Sequence, residues 1–193
     1  MISRRLPLDP LVRLIEANRV DQVSNGYATF RQLVGYCTLC ANPVGELVLH
    51  IFDQATPGRI ELSDRICTAL QLIEHLQNLS QDWRRGRVYL PTEDLDRFGV
   101  HTDDLGRLRA TLALRDLVAF EAERARAWLD AGAPLVSALR GWARLAVGGY
   151  IAGGRAALDA LQRSGYGPLP GPRRPSRSGV LSQWLRATTR SAG

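Results

Sequence analysis

The hydrophobic pattern of the chain is helical almost throughout. In segment 63–91 the apolar positions recur every three or four residues, which is the period of an α-helix rather than the alternation of a strand. These positions are Ile66, Ala69, Leu70, Ile73, Leu76 and Leu79. Ser63 is the expected N-cap of this helix, and the turn-forming pair Pro57-Gly58 precedes it. The pattern therefore predicts a long helix from Ser63 to the cluster at 83–87.

Further helices are predicted on both sides of this segment. The first begins near Asp9, and Thr29 is the expected N-cap of the second. The second helix is apolar on nearly every face, so we expect it to be kinked at Pro43, to continue to about Phe52 and to lie buried at the centre. Downstream, helical patterns cover 92–98, 105–131 and 134–164. The longest strand-like pattern has only four residues, so the predicted fold class is all-α.

Polar side chains on one face of the 63–91 helix form an oxygen-rich column. Glu74, Asn78 and Asp82 are spaced four residues apart, and side chains at that spacing lie one above the other on a helix. Two carboxylates and an amide oxygen are ligands that Mg²⁺ takes, usually together with phosphate oxygens of a substrate. A basic cluster follows, formed by Arg84, Arg85 and Arg87. The pattern predicts a site for a magnesium-bound diphosphate, and the alternative is the solvated face of an ordinary amphipathic helix.

Two segments resemble the squalene/phytoene synthase family. Segment 69–100, ALQLIEHLQNLSQDWRRGRVYLPTEDLDRFGV, is similar to the second aspartate-rich segment of the family, whose pattern is close to LQLTNxLQDVxxDxxRGRxYLPxEDLxxFGV. Segment 36–52, YCTLCANPVGELVLHIF, is similar to the family's YCxxxAxxVG segment. Its ANPVG form most resembles the hydroxysqualene synthase branch of hopanoid biosynthesis. The two segments occur in the family's order and at about the family's separation.

The resemblance implies the class I isoprenoid (terpenoid) synthase fold, in which helices surround a deep apolar cavity capped by magnesium and diphosphate. Mg²⁺ is the implied cofactor. Its implied ligands are Asp82, Asn78 and Glu74, and the implied diphosphate-binding residues are Arg87, assisted by Arg84 or Arg85. Asp82 matches the family pattern, whereas Asn78 replaces an aspartate and Glu74 replaces an asparagine. Tyr36 occupies the place of the family's cavity tyrosine and is the implied catalytic residue.

The implied activity is that of a transferase acting on prenyl diphosphates, by magnesium-assisted ionisation of a presqualene diphosphate-type substrate. Presqualene, farnesyl and geranylgeranyl diphosphate are the expected substrates. The first aspartate-rich motif of the family has no match upstream of Tyr36, and 6–17 resembles the family's LPxxPFLDLIEA segment, so we expect the N-terminal helices of the fold to be missing. Two alternatives stay open: an inactive relative that binds a prenyl diphosphate or a partner protein, and a helical interaction module with a solvated acidic face.

Charge and length refine this interpretation. The chain has 193 residues, enough for one domain, which we assign to 1–164, followed by a tail rich in Pro, Gly and Arg at 165–193. All 25 basic residues are arginine, and the net charge of +6 arises after Asp159, the last acidic residue. The neutral body argues against nucleic acid as a partner. The basic tail is suited to contact anionic lipid headgroups, and the other interpretation is a solvated tail.

Two further patterns bear on compartment and redox chemistry. The N-terminus lacks the apolar run of a secretory signal, and no apolar run approaches the length of a membrane span, so a cytoplasmic location is expected. Cys37 and Cys40 form a CxxC pair in an apolar segment without a second CxxC. We interpret them as buried thiols rather than as a metal or redox site.

Overall fold

The fold is built from helices, as the hydrophobic pattern predicts. The computed structural model describes residues 6–167. Its elements are α1 (Asp9–Val23), α2 (Phe30–Cys40), α3 (Asn42–Ile51), α4 (Pro57–Arg84), α5 (Thr92–Phe98), a 3₁₀ helix (Thr102–Gly106), α6 (Leu112–Gly132), α7 (Leu135–Ala138) and α8 (Gly141–Arg163). Extended pairing within 6–167 is limited to an isolated parallel bridge between Gly26 and Val88. The all-α prediction is therefore confirmed.

Helix α4 is the central element of the fold. It packs most extensively against α6 and also contacts α2, α3, α7, α8 and the 3₁₀ helix. Its buried apolar face meets fully buried leucines of α6 and α8, each of which contributes about 1.5–3 kcal/mol by leaving water. The residues of this shared core include Ile66, Ala69, Ile73, Leu76, Leu114, Leu117, Leu129 and Leu158.

Helix α4 begins six residues before the predicted N-cap, which corrects the prediction at Ser63. The side chain of Thr56 accepts a hydrogen bond from the Arg59 backbone N–H, and Pro57 occupies the first turn, where its missing N–H costs nothing. Ser63 instead lies in the second turn of α4, and its side chain is buried against Gly45 of α3. A Cβ at Gly45 would lie 2.3 Å from the Ser63 hydroxyl oxygen, so the two small residues allow α3 and α4 to cross closely.

Two helices, α2 and α3, replace the second predicted helix, and one face of α3 is exposed to solvent. Thr29 caps α2 as predicted, accepting from the Gln32 backbone N–H at 3.3 Å. The chain breaks at Ala41, and Pro43 lies in the first turn of α3. The prediction of burial on every side is wrong for α3, because Val44 and Ile51 are about half exposed. Exposed apolar side chains of α8, including Trp142 and Tyr150, add to the open apolar surface of the molecule.

The predicted helices after residue 100 are also interrupted. Helix α5 has the predicted bounds 92–98 and ends at Gly99 in the left-handed conformation. The stretch predicted as one helix from residue 105 starts as a 3₁₀ helix, and Thr111 caps α6 by accepting from the Leu114 backbone N–H. The last predicted helix is divided into α7 and α8 at Arg140, whose backbone N–H and C=O both bond to the Gln54 side chain.

The α4–α6 interface depends on a close backbone approach at Gly132, and we expect Gly132→Ala to lower the free energy of unfolding by about 1–3 kcal/mol. A Cβ there would lie 2.8 Å from the Leu62 carbonyl oxygen, which cannot move aside as a side chain can. Gly153 in α8 provides the matched control, because a Cβ there meets nothing within 4 Å. Urea unfolding should show Gly153→Ala to be neutral or stabilising, since alanine favours a helix interior. Equal losses in the two variants would contradict the packing argument.

A buried charged cluster joins α5 to α6. Arg124 donates to Asp94 at 2.8 Å and to Glu121 at 3.1 Å, and both carboxylates are almost completely buried. The guanidinium also lies 4.0 Å from the ring centroid of Phe30 and 4.5 Å from that of Phe120. The Arg124 guanidinium is therefore shared between two buried carboxyl groups. Burial, opposed by Arg124 and reinforced by Asp94, raises the pKa of Glu121 to about 8.

This raised pKa predicts a pH dependence of stability. Between the ordinary glutamate pKa near 4.5 and the folded value near 8, the folded chain holds a proton that the unfolded chain has released. The contribution of Glu121 is therefore complete at low pH and is lost as the pH rises through 8. Glu121→Gln is neutral at every pH, so its free energy of unfolding should rise relative to that of the wild type by up to about 3–4 kcal/mol between pH 5 and pH 8.

Urea unfolding of both proteins at pH 5, 6.5 and 8 measures this difference. Other groups that titrate in this range, including Asp64 with a pKa raised by burial to about 6, are common to both proteins and cancel in the comparison. A difference that stays constant across the three pH values would show that Glu121 is ionised in the folded chain.

Candidate functional site

One face of α4 connects an apolar cavity to the polar column. Ser63, Cys67 and Leu70 lie on this face and line the cavity. The same stripe continues after one further turn with Glu74, Asn78 and Asp82, because spacings of three and four residues keep side chains on one side of a helix. Glu74 is exposed, and Asn78 and Asp82 are half-buried. The three residues of the predicted column therefore lie on the same face of α4 as the wall of an apolar cavity.

The cavity has a volume of about 140 Å³ and lies between α3, α4, α7 and α8. Its walls are almost entirely apolar, and its lining residues from the helices other than α4 are Val44, Gly45, Val48, Leu49, Leu135, Val147 and Tyr150. Val44 and Tyr150 are about half exposed, so they form the rim of the cavity. A cavity of this kind suits a hydrocarbon chain rather than a polar ligand.

The two carboxylates of the column are close enough to influence each other. Burial raises the pKa of Asp82, the Glu74 carboxylate raises it further, and Arg85 and Arg87 oppose the increase. A divalent cation would relieve the repulsion between the two acids, so the donor set fits magnesium. Within 6–167 no three His, Cys, Asp or Glu side chains are grouped as a metal site, so the remaining ligands would come from the Asn78 oxygen and from substrate oxygens.

The three arginines of the basic cluster differ in how far their side chains are already hydrogen-bonded within the chain. Helix α4 ends here because Gly86 adopts the left-handed conformation with φ of +76°, and the Arg87 backbone N–H then returns to the Asp82 carbonyl at 2.9 Å. Arg84 and Arg85 have exposed side chains next to the column. Arg87 donates to the Asp21 carbonyl at 3.1 Å and to the Tyr89 hydroxyl, so part of its donor capacity is used within the chain.

Tyr36 belongs to a cluster of four aromatic rings. Its ring centroid lies 5.4 Å from that of Tyr27 and 6.1 Å from that of Tyr89. Tyr89 stacks on His75 at 3.8 Å. The cluster borders the column, because His75 follows Glu74 on α4 and the charge of Asp82 acts on the Tyr89 hydroxyl. Tyr36 is buried among these rings and does not line the apolar cavity.

Burial fixes the protonation states within the aromatic cluster. It lowers the pKa of His75 to about 3, so the imidazole is neutral, and its Nε2 lies 3.3 Å from the Gln71 side-chain nitrogen. Burial also raises the pKa of Tyr36, and the nearby Asp21 carboxylate acts in the same direction. The tyrosine is therefore a neutral hydrogen-bond donor at every physiological pH.

Sequence analysis predicts Tyr36 and the column as site residues but does not predict which side chains surround them. Tyr27, Tyr89 and Asp21 come from three separate segments, and no periodicity brings them together. His75 directly follows Glu74 in the sequence, yet its ring is buried beneath Tyr89. The only available signal was the proximity of Tyr89 and His75 in sequence to the basic cluster and the column.

The CxxC pair behaves as the sequence interpretation requires. Cys37 is fully buried, and both Cys37 and Cys40 are free thiols. The hydrogen bond with Cys40 and burial raise the pKa of Cys37, which keeps the thiol unreactive. The prediction of buried structural thiols is thus confirmed for Cys37, while Cys40 is partly accessible.

Comparison with known proteins identifies the family. The sequence profile described as squalene/phytoene synthase matches residues 1–180. The chain belongs to the squalene/phytoene synthase family. The squalene synthase HpnC of Alicyclobacillus acidocaldarius superposes with a TM-score of 0.80 and 42% identity over 87% of this chain and 62% of that one. This similarity confirms the all-α isoprenoid synthase fold.

Two hydroxysqualene synthases place the chain near the hopanoid branch of the family. That of Zymomonas mobilis is 38% identical over 106 residues, covering 54% of this chain and 35% of the relative. That of Rhodopseudomonas palustris is 31% identical over 141 residues, covering 72% of this chain and 48% of the relative. The chain therefore spans half or less of the length of these relatives.

Among the helices of 6–167, none combines the length and hydrophobicity that a membrane crossing requires. The basic tail proposed to contact lipid lies almost wholly outside the described residues.

Proposed function

We propose that this family member processes prenyl diphosphates in isoprenoid biosynthesis, with presqualene diphosphate, or farnesyl or geranylgeranyl diphosphate, as substrate. The observation that carries the proposal is the single face of α4, on which the apolar cavity, the column and the basic cluster follow one another. A prenyl diphosphate has the same order of chemistry, with a hydrocarbon tail joined to a polyanionic head. The wall residues Cys67 and Leu70 would contact the tail, and the column and basic cluster would lie at the head.

The proposed reaction begins with ionisation of the bond between carbon and the diphosphate oxygen. The electron pair leaves with the pyrophosphate, and positive charge develops on the prenyl carbon. Arg84 and Arg85, with the donors of Arg87 that remain, bind the leaving oxygens. Glu74, Asn78 and Asp82 would hold magnesium, which would supply positive charge to the same oxygens. The apolar walls exclude water from the cation. Tyr36 is the proposed catalytic tyrosine beside this polar end.

A second candidate function is a relative that binds a prenyl diphosphate or a pathway partner without turnover. The exchange of residue types at Glu74 and Asn78, relative to the family pattern, favours keeping it as an alternative. Product analysis after incubation with Mg²⁺ and presqualene diphosphate separates the two functions. Turnover supports the synthase, binding without turnover supports the second candidate, and absence of binding contradicts both.

If the cavity binds the hydrocarbon tail, a change at its rim should weaken the binding of a prenyl diphosphate without weakening that of inorganic pyrophosphate. We expect Val44→Trp to lower the affinity for farnesyl diphosphate about tenfold, because the indole covers the rim, and to leave the affinity for inorganic pyrophosphate within about twofold. Val12→Trp is the matched control, since Val12 is exposed on α1 and does not line the cavity. Calorimetry with both ligands measures the effect. Equal losses for the two ligands in Val44→Trp would show that the cavity is not the tail site.

A further inference from the structure

An apolar groove lies between α3 and α8, above the mouth of the cavity. At one end of the groove, the Gln54 side chain bonds to the backbone C=O and N–H of Arg140 at 3.1 and 3.0 Å. At the other end, Val44 and Tyr150 both line the cavity, so the two helices run antiparallel. Four apolar side chains on the groove are about half exposed or more: Val44, Ile51, Trp142 and Tyr150. Apolar side chains exposed together in this way are typical of an interaction surface.

The groove has the length of a short helix. From Val44 to Ile51, α3 rises about 10 Å, and from Trp142 to Tyr150, α8 rises about 12 Å. Two turns of a docked helix cover this distance, and an amphipathic helix in an apolar groove is a common mode of recognition. The groove therefore fits the apolar face of a helix of about two turns.

The chain itself contains a segment with this pattern. Segment 180–190 has the sequence VLSQWLRATTR. Its large apolar residues are spaced to share one side of a helix, and they are Val180, Leu181, Trp184 and Leu185. Ser182, Gln183 and Arg186 occupy the opposite side in the same pattern. The sequence thus predicts a short amphipathic helix whose apolar face matches the groove in length and chemistry.

The connection from α8 is long enough to bring this segment to the groove. Gly165 and Tyr166 have positive φ values and end α8 in a tight turn. Twelve residues, 168–179, then precede the segment, and they are rich in Pro and Gly. An extended proline-rich stretch of this length reaches about 37 Å. From Trp142 to Arg163, α8 is only about 32 Å long, so the segment can return along α8 as far as the groove.

We propose that segment 180–190 docks in the groove between α3 and α8 and covers the mouth of the apolar cavity. Its apolar face removes the exposed side chains of the groove from water, which is the driving force for docking. A hydrocarbon ligand in the cavity then leaves only after the segment is displaced. The docking goes beyond the proposed function, whereas the slower release of a prenyl diphosphate rests on it.

The first arm of the test detects the contact in the full chain, which has four tryptophans. Their ¹⁵N-labelled indole groups give four NMR signals, and Trp142→Phe assigns one of them. We expect Leu181→Glu to shift the Trp142 signal toward that of a solvent-exposed indole. Gln183→Glu adds the same charge to the opposite helix face and should leave the signal unchanged. The signals of the tryptophans in α4 and α6 report whether the fold is intact, and an unshifted Trp142 signal in Leu181→Glu would overturn the inference.

The reciprocal change tests the groove side of the contact. Trp184→Phe assigns the indole signal of the segment. We expect Val44→Glu to shift the Trp184 signal, because a carboxylate at the rim of the groove meets the apolar face of the segment. Val12→Glu is the matched control, since Val12 is exposed on α1 and lies outside the groove. A Trp184 signal that does not move in Val44→Glu would mean that the segment docks elsewhere, which contradicts the proposal.

Two other occupants of the groove give different results, and either would overturn the proposal. If a second copy of the chain supplies the segment, unlabelled wild-type chain added to labelled Leu181→Glu restores the wild-type Trp142 signal. If the groove binds a lipid surface instead, Leu181→Glu leaves the Trp142 signal in place, and vesicles of phosphatidylcholine and phosphatidylglycerol shift it.

The second arm measures release of farnesyl diphosphate by stopped-flow displacement in Mg²⁺. Leu181→Glu should release it about tenfold faster than the wild type, and Gln183→Glu should release it at the wild-type rate. Equal rates in Leu181→Glu and the wild type, together with a shifted Trp142 signal, would show that the docked segment does not cover the cavity. If none of these chains binds farnesyl diphosphate, the proposed function fails, and the Trp142 signal still decides whether the segment docks.

Discussion

Arg124→Ala should lower the free energy of unfolding by about 3–5 kcal/mol, the largest effect on stability expected in this chain. The change leaves the buried Asp94 carboxylate without its cation, removes the hydrogen bond from Arg124 to Glu121, and removes the contacts with Phe30 and Phe120. A charge that loses its buried partner keeps the full cost of its desolvation. Urea unfolding at pH 7 measures the loss.

Arg126→Ala is the matched control for this prediction. Arg126 lies two residues away on α6, and its ion pairs with Glu123 and Asp159 are long and partly exposed. Surface pairs of this kind contribute at most about 1 kcal/mol. Similar losses in the two variants would contradict the account of the cluster.

Asp82→Ala should reduce the magnesium-dependent affinity for pyrophosphate by roughly 100-fold or more. Changes to residues that only support a metal ligand already cost about 10–100-fold, and Asp82 is proposed as a direct ligand. Calorimetric titrations with pyrophosphate, in Mg²⁺ and in chelator, separate the metal-dependent part from binding by the arginines alone. That second part should change little, because the exposed Arg84 and Arg85 remain.

Asp116→Ala provides the control for the loss of one negative charge. Asp116 is an exposed carboxylate on α6. We expect its removal to leave pyrophosphate binding unchanged or slightly stronger, since the chain then repels the anion less. If Asp82→Ala binds magnesium pyrophosphate as Asp116→Ala does, the column is not the metal site and the solvated-face interpretation is favoured.

The sequence predicts local structure well wherever one short segment determines it. Thr29 caps α2, and α5 ends at Gly99, because capping and left-handed turns depend on only a few residues. The sequence predicts a start of α4 at Ser63 because a serine before an apolar repeat is typical of an N-cap. Thr56 and Pro57 make a stronger start, and the close crossing at Gly45 requires a small buried residue at position 63.

Contacts between distant segments are the part that the sequence does not predict. Arg124 and Glu121 have the appearance of a surface pair on an amphipathic helix, and only the packing of α5 against α6 buries them with Asp94. The aromatic cluster has the same origin, because Tyr27, Tyr36 and Tyr89 meet only when the end of α1 is fastened to the loop after α4. Spacing along the chain contains no information about either assembly.

The position of the bound ion tests the central claim most directly. Manganese can replace magnesium, and it broadens NMR signals of nearby groups in the isotope-labelled 193-residue chain when pyrophosphate is added. We expect the Asn78 side-chain amide to broaden first, followed by the backbone amides of Glu74, Asp82 and Arg85. Broadening centred on other acidic residues, such as Asp103 on the 3₁₀ helix, or no pyrophosphate-dependent broadening at all, would contradict a diphosphate site on α4.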